Sequence, residues 1–470
     1  MLNLKPEQQK RFFEIFDELC SIPHGSGNTK AISDYCAEFA NNNGLFVFQD
    51  ELNNVVIKKP ATKGYESHEP IILQGHLDMV CEKESTCKID FEKDGLEIYI
   101  DGDYITANGT TLGGDDGIAV AMVLSILEDK NLSHPEIEAV FTTDEETGMY
   151  GADGLDAKLL NGKMLINIDS ENEGVFTVSC AGGARTQINL PLITQENDQT
   201  AYEIAIDGLM GGHSGVEIDK GRINASILLG EILDSFTFNF LISEISGGLK
   251  DNAIPRSASC VICSNVNPKE AINSFLNSFD FGKDNMPQVT VKDISCKKSF
   301  SKESSLLIVY FLNNVPNGIQ KMSSDINGLV QTSLNLGILN TTESGLEASF
   351  AVRSSVNNER NELIDTLKDF ADGLGGTVSS HGFYPAWEYK KDSKLRRVMC
   401  DTYKTLYNTE AAVEAIHAGL ECGLFGEKIK GLDAVSIGPN MCDIHTPDEK
   451  LSISSSVRVY EFLCEVLKNL

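Results

Sequence analysis

Acidic and histidine side chains of the kind that bind divalent cations recur along this 470-residue chain, mostly just after short apolar segments. Two imidazoles with several carboxylates suit zinc or a similar divalent ion, and no thiol accompanies them, which favours an open catalytic site over a closed structural one. Two metal ions that share one bridging carboxylate would account for five ligands and one free acid. The set comprises His76, Asp78, Asp115, Glu145, Glu146, Asp169 and His445.

Adjacent carboxylates in two loops strengthen this interpretation. Asp115 and Asp116 end a glycine loop that runs into the apolar segment 118–127, and helix capping explains one acid there better than two. Three further acids are adjacent at a strand end: Asp144, Glu145 and Glu146. Their mutual repulsion costs stability unless a cation lies nearby. The alternative for each of these residues taken singly is an ordinary cap, a solvated loop acid or a loop histidine.

Helix-like and strand-like segments alternate up to about residue 183 and again after residue 388. Apolar residues recur at helical spacing over 7–20, whereas short runs such as 71–73 and 137–143 indicate strands. This alternation predicts an α/β sheet domain in two chain segments, 1–183 and 389–470. Ligands of open α/β sheets bind outside the carboxyl ends of the strands, so the strand-end acids are expected to converge there.

Residues 184–388 follow a different pattern, with long strands and two helices that divide into two weakly similar halves. The first half has strand 201–206, loop 211–215, helix 224–233 and a later strand. The second half has segments 306–310, 326–336 and 346–353, followed by helix 362–370. This pattern predicts an inserted α+β domain built from a duplicated β-α-β unit.

The overall charge excludes two classes of partner. Lys and Arg number 39 against 69 Asp and Glu, a formal net charge of −30, which repels nucleic acid and anionic membranes. The first ten residues lack the pattern of a signal peptide, and no apolar stretch is long enough to span a membrane. The twelve scattered cysteines are therefore expected to be reduced thiols in a cytoplasmic protein.

The motifs together resemble the co-catalytic zinc metallopeptidase family of aminoacyl-histidine dipeptidases and cytosolic nonspecific dipeptidases. The resemblance extends over essentially the whole chain, and the order of the motifs carries it. They are QGHLD (74–78), LGGD (112–115), TDEETG (143–148), NIDS (167–170), GGHSG (211–215), NAIPR (252–256), HAGLECG (417–423) and HTPDE (445–449).

The resemblance implies two Zn²⁺ ions per chain, with Mn²⁺ or Co²⁺ as substitutes. The implied metal ligands are His76, Asp115, Glu146, Asp169 and His445, with Asp115 as the bridge. Asp116 adjoins Asp115 and stays an alternative bridge. Glu145 resembles the general base, and Asp78 resembles the acid that orients His76 by accepting its other N–H.

The resemblance also implies that segment 184–388 is a lid that contributes substrate contacts. His213 resembles the residue that stabilises the oxyanion, Asn252 a hydrogen-bonding partner of the substrate, and Arg353 a clamp for the substrate's C-terminal carboxylate. His417 and Glu421 are further substrate-binding candidates. Because the His213 and Arg353 motifs lie in different halves of the lid, each chain is predicted to complete its own site. A homodimer through the lid is then not required for activity.

The function implied by the resemblance is metal-dependent hydrolysis of dipeptides, Xaa-His and others, in the cytoplasm. Two related activities of the same fold remain alternatives, an aminotripeptidase and an N-acyl amino acid deacylase. A noncatalytic metal- or peptide-binding protein is the alternative from another class. A free acid at position 145 argues against binding alone, because binding needs no base beside a metal ligand.

Overall fold

Residues 2, 4, 8, 10–342 and 345–470 are described by a computed structural model of the protein. The other positions near the N-terminus fall in the segment used to exclude a signal peptide, and two of them, 7 and 9, fall in the predicted first helix. Those two predictions therefore lie partly outside the described residues. Unit 1 comprises the described residues of Met1–Ser179, Tyr389–Ala415 and Leu420–Leu470. Unit 2 comprises those of Cys180–Glu388 and Ile416–Gly419.

The α-helices include ones close to the predicted helical segments 7–20, 224–233 and 362–370 and one, over 302–314, that was not predicted. They are α1 (Arg11–Cys20), α2 (Lys30–Asn42), α3 (Gly114–Glu128), α4 (Tyr150–Gly154), α5 (Ala225–Asp234), α6 (Lys269–Ser278), α7 (Lys302–Asn314), α8 (Asn357–Gly373), α9 (Lys394–Tyr407), α10 (Glu421–Lys428) and α11 (Ile453–Asn469). Short 3₁₀ turns occur at Ala157–Leu159 and Ile218–Lys220.

The strands are short in unit 1 and longer in unit 2. They are β1 (Phe46–Gln49), β2 (Val55–Lys59), β3 (Ile71–His76), β4 (Ile98–Asp101), β5 (Tyr104–Ala107), β6 (Ile137–Thr142), β7 (Met164–Asn167), β8 (Val175–Cys180), β9 (Gly182–Pro191), β10 (Thr194–Glu196), β11 (Ala201–Asp207), β12 (Gly212–His213), β13 (Leu241–Gly247), β14 (Ala253–Ile254), β15 (Ala258–Cys263), β16 (Gln288–Ile294), β17 (Lys298–Phe300), β18 (Gly318–Met322), β19 (Val330–Thr342), β20 (Gly345–Ser354), β21 (Thr377–Tyr384), β22 (Ala412–Ile416), β23 (Asp433–Ser436), β24 (Met441–Cys442) and β25 (Lys450–Ser452).

Unit 1 is built on a mixed sheet whose strand order is β1-β2-β6-β3-β7-β23-β8-β22. The central strands β6, β3, β7 and β23 run parallel, and β2 and β8 join them antiparallel. The central strands are buried along their whole length, as expected for parallel strands covered on both faces. A smaller sheet of order β24-β25-β5-β4 belongs to the same unit.

Helix α3 lies at the centre of unit 1. Its segment 118–127 is apolar apart from Ser125, so it has no polar face to present to water, and every residue from Gly114 to Leu127 is buried. It packs against α1 and β3. A helix that is apolar all round belongs in a core, and this one holds its N-terminus, with Asp115 and Asp116, beside the end of β3.

Unit 2 is built on an antiparallel sheet of order β16-β11-β15-β13-β19-β20-β9-β21, with β18 also paired to β19. Its core contains apolar side chains from the sheet and from α5, α7 and α8. The mixed α/β fold class predicted from the alternation is confirmed by this architecture together with the family match reported below.

The predicted duplication of the lid is not confirmed, and segments 306–310 and 326–336 do not follow the strand-then-helix order that a β-α-β unit requires. Segment 306–310 lies inside helix α7, and most of segment 326–336 belongs to strand β19. A short apolar run does not distinguish a strand from a buried helix. Here Ser301 caps the helix by accepting the N–H of Ser304, and the buried pairs 304–305, 308–309 and 311–312 recur every three to four positions, which is a helical pattern.

Among the described residues, no helix combines the length and the apolar composition that crossing a membrane requires.

Candidate active site

The strand-end side chains of unit 1 converge because their strands are parallel neighbours. In the strand order β6-β3-β7, His76 pairs with Thr142 and Gln74 pairs with Asn167, so all three strands end at the same edge. The loop after β6 carries Glu145 and Glu146, and Asp169 follows β7. His445 comes from the loop between β24 and β25, where its φ of +62° is a strained value for a residue other than glycine.

The distances define a row of alternating carboxylates and imidazoles. His76 Nε2 lies 3.2 Å from Asp115 Oδ1 and 3.8 Å from Asp169 Oδ1. The other Asp115 oxygen, Oδ2, lies 3.2 Å from His445 Nε2, which in turn lies 2.7 Å from Glu146 Oε1. The two oxygens of Asp115 therefore face two different histidines, which is the arrangement a bridging carboxylate requires.

Several combinations of these side chains bring their ligand atoms within 4.8 Å of one another, close enough to share a metal ion. They are His76 with Asp116 and Asp169, His76 with Glu145 and Glu146, and Asp115 with Glu146 and His445. The donor set of imidazoles and carboxylates is the one expected for zinc or another borderline divalent ion.

Asp115 and Asp116 differ in their surroundings. Asp116 is fully buried, and its Oδ2 accepts the backbone N–H of His76 at 3.1 Å. Its Oδ1 has no hydrogen-bond partner among the described residues. Because Asp116 faces His76 alone while Asp115 lies between both histidines, the geometry favours Asp115 as the bridge.

Asp78 connects His76 to the acidic loop. The Nδ1 of His76 lies 2.9 Å from the backbone oxygen of Asp78 and 3.5 Å from its carboxylate Oδ1. The same carboxylate accepts the backbone N–H groups of Glu145 at 3.0 Å and Glu146 at 3.3 Å, and the hydroxyl of Ser26 at 2.8 Å. Asp78 is thus placed both to orient His76 and to hold the loop that carries Glu145.

The electrostatics of the cluster call for a cation. Burial raises the pKa of Glu145 to about 8 and that of Asp169 well above its usual value, and neighbouring carboxylates add to both shifts. Hydrogen bonds that His445 donates to Asp115 and Glu146 raise its pKa to about 10. Carboxylates crowded in a buried site are stabilised by positive charge, which protons on the histidines or bound metal ions supply.

His213 in unit 2 is held in one tautomer. Its Nδ1 accepts the backbone N–H groups of Gly215 at 3.1 Å and Val216 at 3.2 Å, so the ring proton of the neutral imidazole is on Nε2. Burial lowers the pKa of His213, and the positive charge of Arg353 lowers it further. The ring therefore offers an Nε2–H donor without carrying a charge.

Arg353 is a buried cation without a carboxylate partner in the described part of the chain. Its side chain is almost fully buried on β20, its Nη1 donates to the hydroxyl of Tyr384 at 2.8 Å, and its Nε has no partner there. Gly183 lies opposite Arg353 in the sheet, and a Cβ at that position would lie 2.4 Å from the Tyr384 hydroxyl. A buried guanidinium in this state is suited to bind an anionic ligand.

His417 and Asn252 also belong to unit 2. His417 Nε2 lies 2.7 Å from the hydroxyl of Ser333, while its Nδ1 has no partner among the described residues. Ser333 pairs with Arg353 across β19 and β20. Asn252 is partly buried beside β14, and its backbone oxygen accepts the N–H of Ser214 at 2.9 Å, next to His213.

The profile of peptidase family M20/M25/M40 matches residues 72–469. The chain belongs to this peptidase family. The family predicted from the motifs is confirmed by this match, and with it the prediction that the protein is an enzyme of the peptidase class.

Relatives of the family align with the chain from end to end. It is 34% identical over 482 residues to the cytosol non-specific dipeptidase of Escherichia coli K12, covering 100% of this chain and 99% of that protein. The crystal structure of an aminoacylhistidine dipeptidase from Vibrio alginolyticus is similar, with a TM-score of 0.91 and 34% identity, covering 100% of this chain and 97% of the other. Aminopeptidase PepT from Bacillus cereus, at 16% identity, shares the fold with a TM-score of 0.56 over 98% of both chains.

A buried polar network beside the candidate metal ligands of this M20 peptidase was not predicted in its details. Glu421, a predicted substrate residue, is fully buried at the start of α10 in unit 1. Its Oε2 accepts the Nε2 of Gln74 at 2.5 Å and the hydroxyl of Thr142 at 2.8 Å, and its Oε1 has no partner among the described residues. Gln74 in turn accepts the amide of Asn167 at 2.6 Å.

Glu449 is a second residue whose contacts sequence reasoning missed, although it ends the HTPDE motif that begins at His445. Its buried carboxylate accepts backbone N–H groups from the loop that leads into α3. The motif was a signal that this position matters, but the partners are 334 to 337 residues away and could not be identified from spacing.

Acid is expected to destabilise the protein through His417. Burial, followed by the charge of Arg353, lowers the pKa of His417 to about 3, below the ordinary value of 6.5. The unfolded chain therefore binds a proton as the pH falls below 6.5 while the folded one does not, so stability present above pH 6.5 is lost between pH 6.5 and about 3. Between pH 7 and pH 5, the free energy of unfolding of the His417→Asn variant should fall by roughly 2 kcal/mol less than that of the unmodified protein. The measurement is denaturant unfolding at both pH values.

The exposed His381 provides the matched control, because His381→Asn removes a histidine of unit 2 that is accessible to water. Equal loss of stability on acidification in the His417→Asn variant and the unmodified protein would contradict the prediction.

Proposed function

We propose that this M20 peptidase is a metal-dependent dipeptidase of the cytoplasm that holds two divalent metal ions, of which zinc is the first candidate. The observation that carries the proposal is the position of Asp115, whose two oxygens each lie 3.2 Å from a different histidine. Full-length identity of 34% to a cytosol non-specific dipeptidase, and a TM-score of 0.91 to an aminoacylhistidine dipeptidase, support the substrate class.

The residues present fit such ions. His76, Asp115 and Asp169 would hold one ion, and Asp115, Glu146 and His445 the other. Bound metal ions would offset both the mutual repulsion of these carboxylates and the cost of burying their charge. When bound, the ions would polarise the scissile carbonyl and make the attacking water more acidic.

The chain's own residues would move the proton and hold the substrate. Glu145 would take a proton from the attacking water and pass it to the leaving amine. The hydrogen bond of Glu145 to Asp78 is made by its backbone N–H, which leaves the carboxylate available for that transfer. Asp78 would keep both His76 and the Glu145 loop in place.

Unit 2 would contribute binding groups. We assign His213 Nε2–H to the developing oxyanion, because its tautomer makes that atom a donor. Arg353 would bind the C-terminal carboxylate of the dipeptide. Asn252, His417 and Glu421 remain candidate substrate contacts. That segment 184–388 acts as a lid, and that no partner subunit is needed, stay predictions.

A substrate panel tests the proposal. We expect Xaa-His and other dipeptides to be hydrolysed at least tenfold faster, in kcat/KM, than a tripeptide or an N-acyl amino acid, in line with the dipeptidases that the chain resembles over its full length. A clamp on the C-terminal carboxylate would limit only the leaving side of the substrate to one residue. Preference for the tripeptide would indicate an aminotripeptidase, and preference for the N-acyl amino acid a deacylase. Membership of a peptidase family argues against the alternative of a noncatalytic binding protein.

Removal of metal is expected to abolish dipeptide hydrolysis and to lower the melting temperature. At a free metal concentration 100-fold above Kd, each site that binds only the folded chain adds about 2.7 kcal/mol to stability. The measurement is calorimetry of chelated protein titrated with Zn²⁺, Mn²⁺ or Co²⁺, followed by metal analysis. Full activity in chelated, metal-free protein would contradict the proposal.

A further inference from the structure

The carboxylate of Glu449 accepts four consecutive backbone N–H groups of one loop. Its Oε2 lies 2.6 Å from the nitrogen of Leu112 and 3.1 Å from that of Gly113, and its Oε1 lies 2.8 Å from Gly114 and 3.3 Å from Asp115. The side chain is buried, with 2% of its surface exposed. Both oxygens are thus occupied by backbone donors, and Glu449 is in none of the groups of described residues that could share a metal ion.

The loop needs this carboxylate because it has no cap of its own. The backbone of Asp115 and Asp116 is not helical, so the regular part of α3 begins after them and the four N–H groups belong to the loop before it. Buried backbone N–H groups need an acceptor, and Gly113, with a φ of +65°, and Gly114 have no side chain that could supply one. The acceptor comes instead from a residue 336 positions away in the chain.

Glu449 also fixes the segment that carries His445. Its backbone N–H donates to the oxygen of Thr446 at 3.1 Å, and its backbone oxygen accepts the hydroxyl of Thr106 at 2.8 Å. One residue therefore ties the turn that begins at His445 to the loop that presents Asp115. These are the two side chains whose facing atoms lie 3.2 Å apart.

We propose that Glu449 is a positioning residue for metal binding, which sets the separation of Asp115 and His445 by holding both of their backbones. It does so without touching a metal ion or the substrate. The inference rests on the proposed metal centre. It predicts that damage to this carboxylate weakens metal binding by more than its effect on folding would explain.

The test compares two substitutions of buried carboxylates in unit 1. In Glu449→Gln, an amide NH₂ replaces one oxygen, so two of the four N–H groups face a donor. Glu138→Gln is the matched control, because Glu138 is also fully buried and accepts the backbone N–H groups of Asn161 and Gly162. Glu138 lies toward the beginning of β6, away from the strand end that carries the metal cluster.

Zn²⁺ affinity is measured by competition with a chromophoric chelator, and Co²⁺ absorption spectra report on the geometry of the bound ion. We expect Glu449→Gln to lower the affinity for the more weakly bound Zn²⁺ ion by about 10- to 100-fold and to change the Co²⁺ absorption spectrum. We expect Glu138→Gln to lower the melting temperature of the chelated protein and leave both metal readouts as in the unmodified chain.

Metal affinity within twofold of the unmodified protein in Glu449→Gln would overturn the inference. If that variant does not fold, Gly114→Ala decides: its added Cβ would lie 3.1 Å from Glu449 Oε1, so the carboxylate would have to shift by a few tenths of an ångström. A several-fold loss of metal affinity in Gly114→Ala supports the inference and no loss overturns it. Failure of the unmodified protein to bind metal would instead overturn the proposed function.

Discussion

Glu145→Gln is expected to lower kcat for dipeptide hydrolysis by about 10³-fold while the protein retains its metal ions. The amide has nearly the same shape as the carboxylate but cannot accept a proton at neutral pH. The backbone N–H of Glu145 still donates to Asp78, so the loop should keep its position. The measurements are steady-state kinetics with a dipeptide and metal analysis of the same preparation.

The matched control for this substitution is Asp153→Asn, which removes an exposed carboxylate from α4, shortly after the acidic loop. It should leave kcat unchanged. More than a tenth of the original kcat in Glu145→Gln, with the metal content intact, would show that another group takes the proton.

Arg353→Ala is expected to raise KM for dipeptides and to lower kcat/KM by about 10²-fold, because a buried charge-assisted contact to a carboxylate contributes about 3 kcal/mol. The comparison that isolates this contact uses a dipeptide and its C-terminal amide. The unmodified enzyme should discriminate against the amide by a similar factor. Arg353→Ala should lose that discrimination, since its two substrates differ only in a group that no longer has a partner.

An exposed arginine serves as control: Arg397 pairs with Asp392 at the surface of unit 1, and Arg397→Ala should leave the discrimination unchanged. Persistent discrimination against the amide in Arg353→Ala would assign carboxylate recognition to a different residue. In the absence of substrate, Arg353→Ala should lower the free energy of unfolding only slightly. The reason is that the buried guanidinium has no carboxylate partner among the described residues.

The convergence of His76, Glu146 and Asp169 could be predicted from the sequence because it follows from one rule, that neighbouring parallel strands end at one edge. The choice between Asp115 and Asp116 could not, since adjacent identical side chains differ by only one position in their spacing to every motif. Only the distances to the two histidines separate them. The helix at 306–310 was missed for a similar reason, because a short apolar run fits two periodicities until its exposed members are known.

The contacts of Glu449 and Glu421 were beyond sequence reasoning for a different cause. Each joins segments separated by 279 to 347 residues, through backbone N–H groups or through amide and hydroxyl partners that carry no charge signature. Spacing within a motif reports on local structure, whereas the partner of a buried carboxylate is decided by how distant strands and helices pack.

The place of β23 has a consequence for how this protein is made. In the unit 1 sheet β23 lies between β7 and β8, although more than 250 residues separate it from them in the chain. On a translating ribosome, β7 and β8 therefore emerge long before the strand that must lie between them, and an edge of β7 stays unpaired until residue 436 has been made. The proposed metal site cannot be complete until His445 follows. Nascent chains of this enzyme should depend on chaperones until the last few dozen residues are complete, and fragments that end near residue 388 should aggregate rather than bind metal.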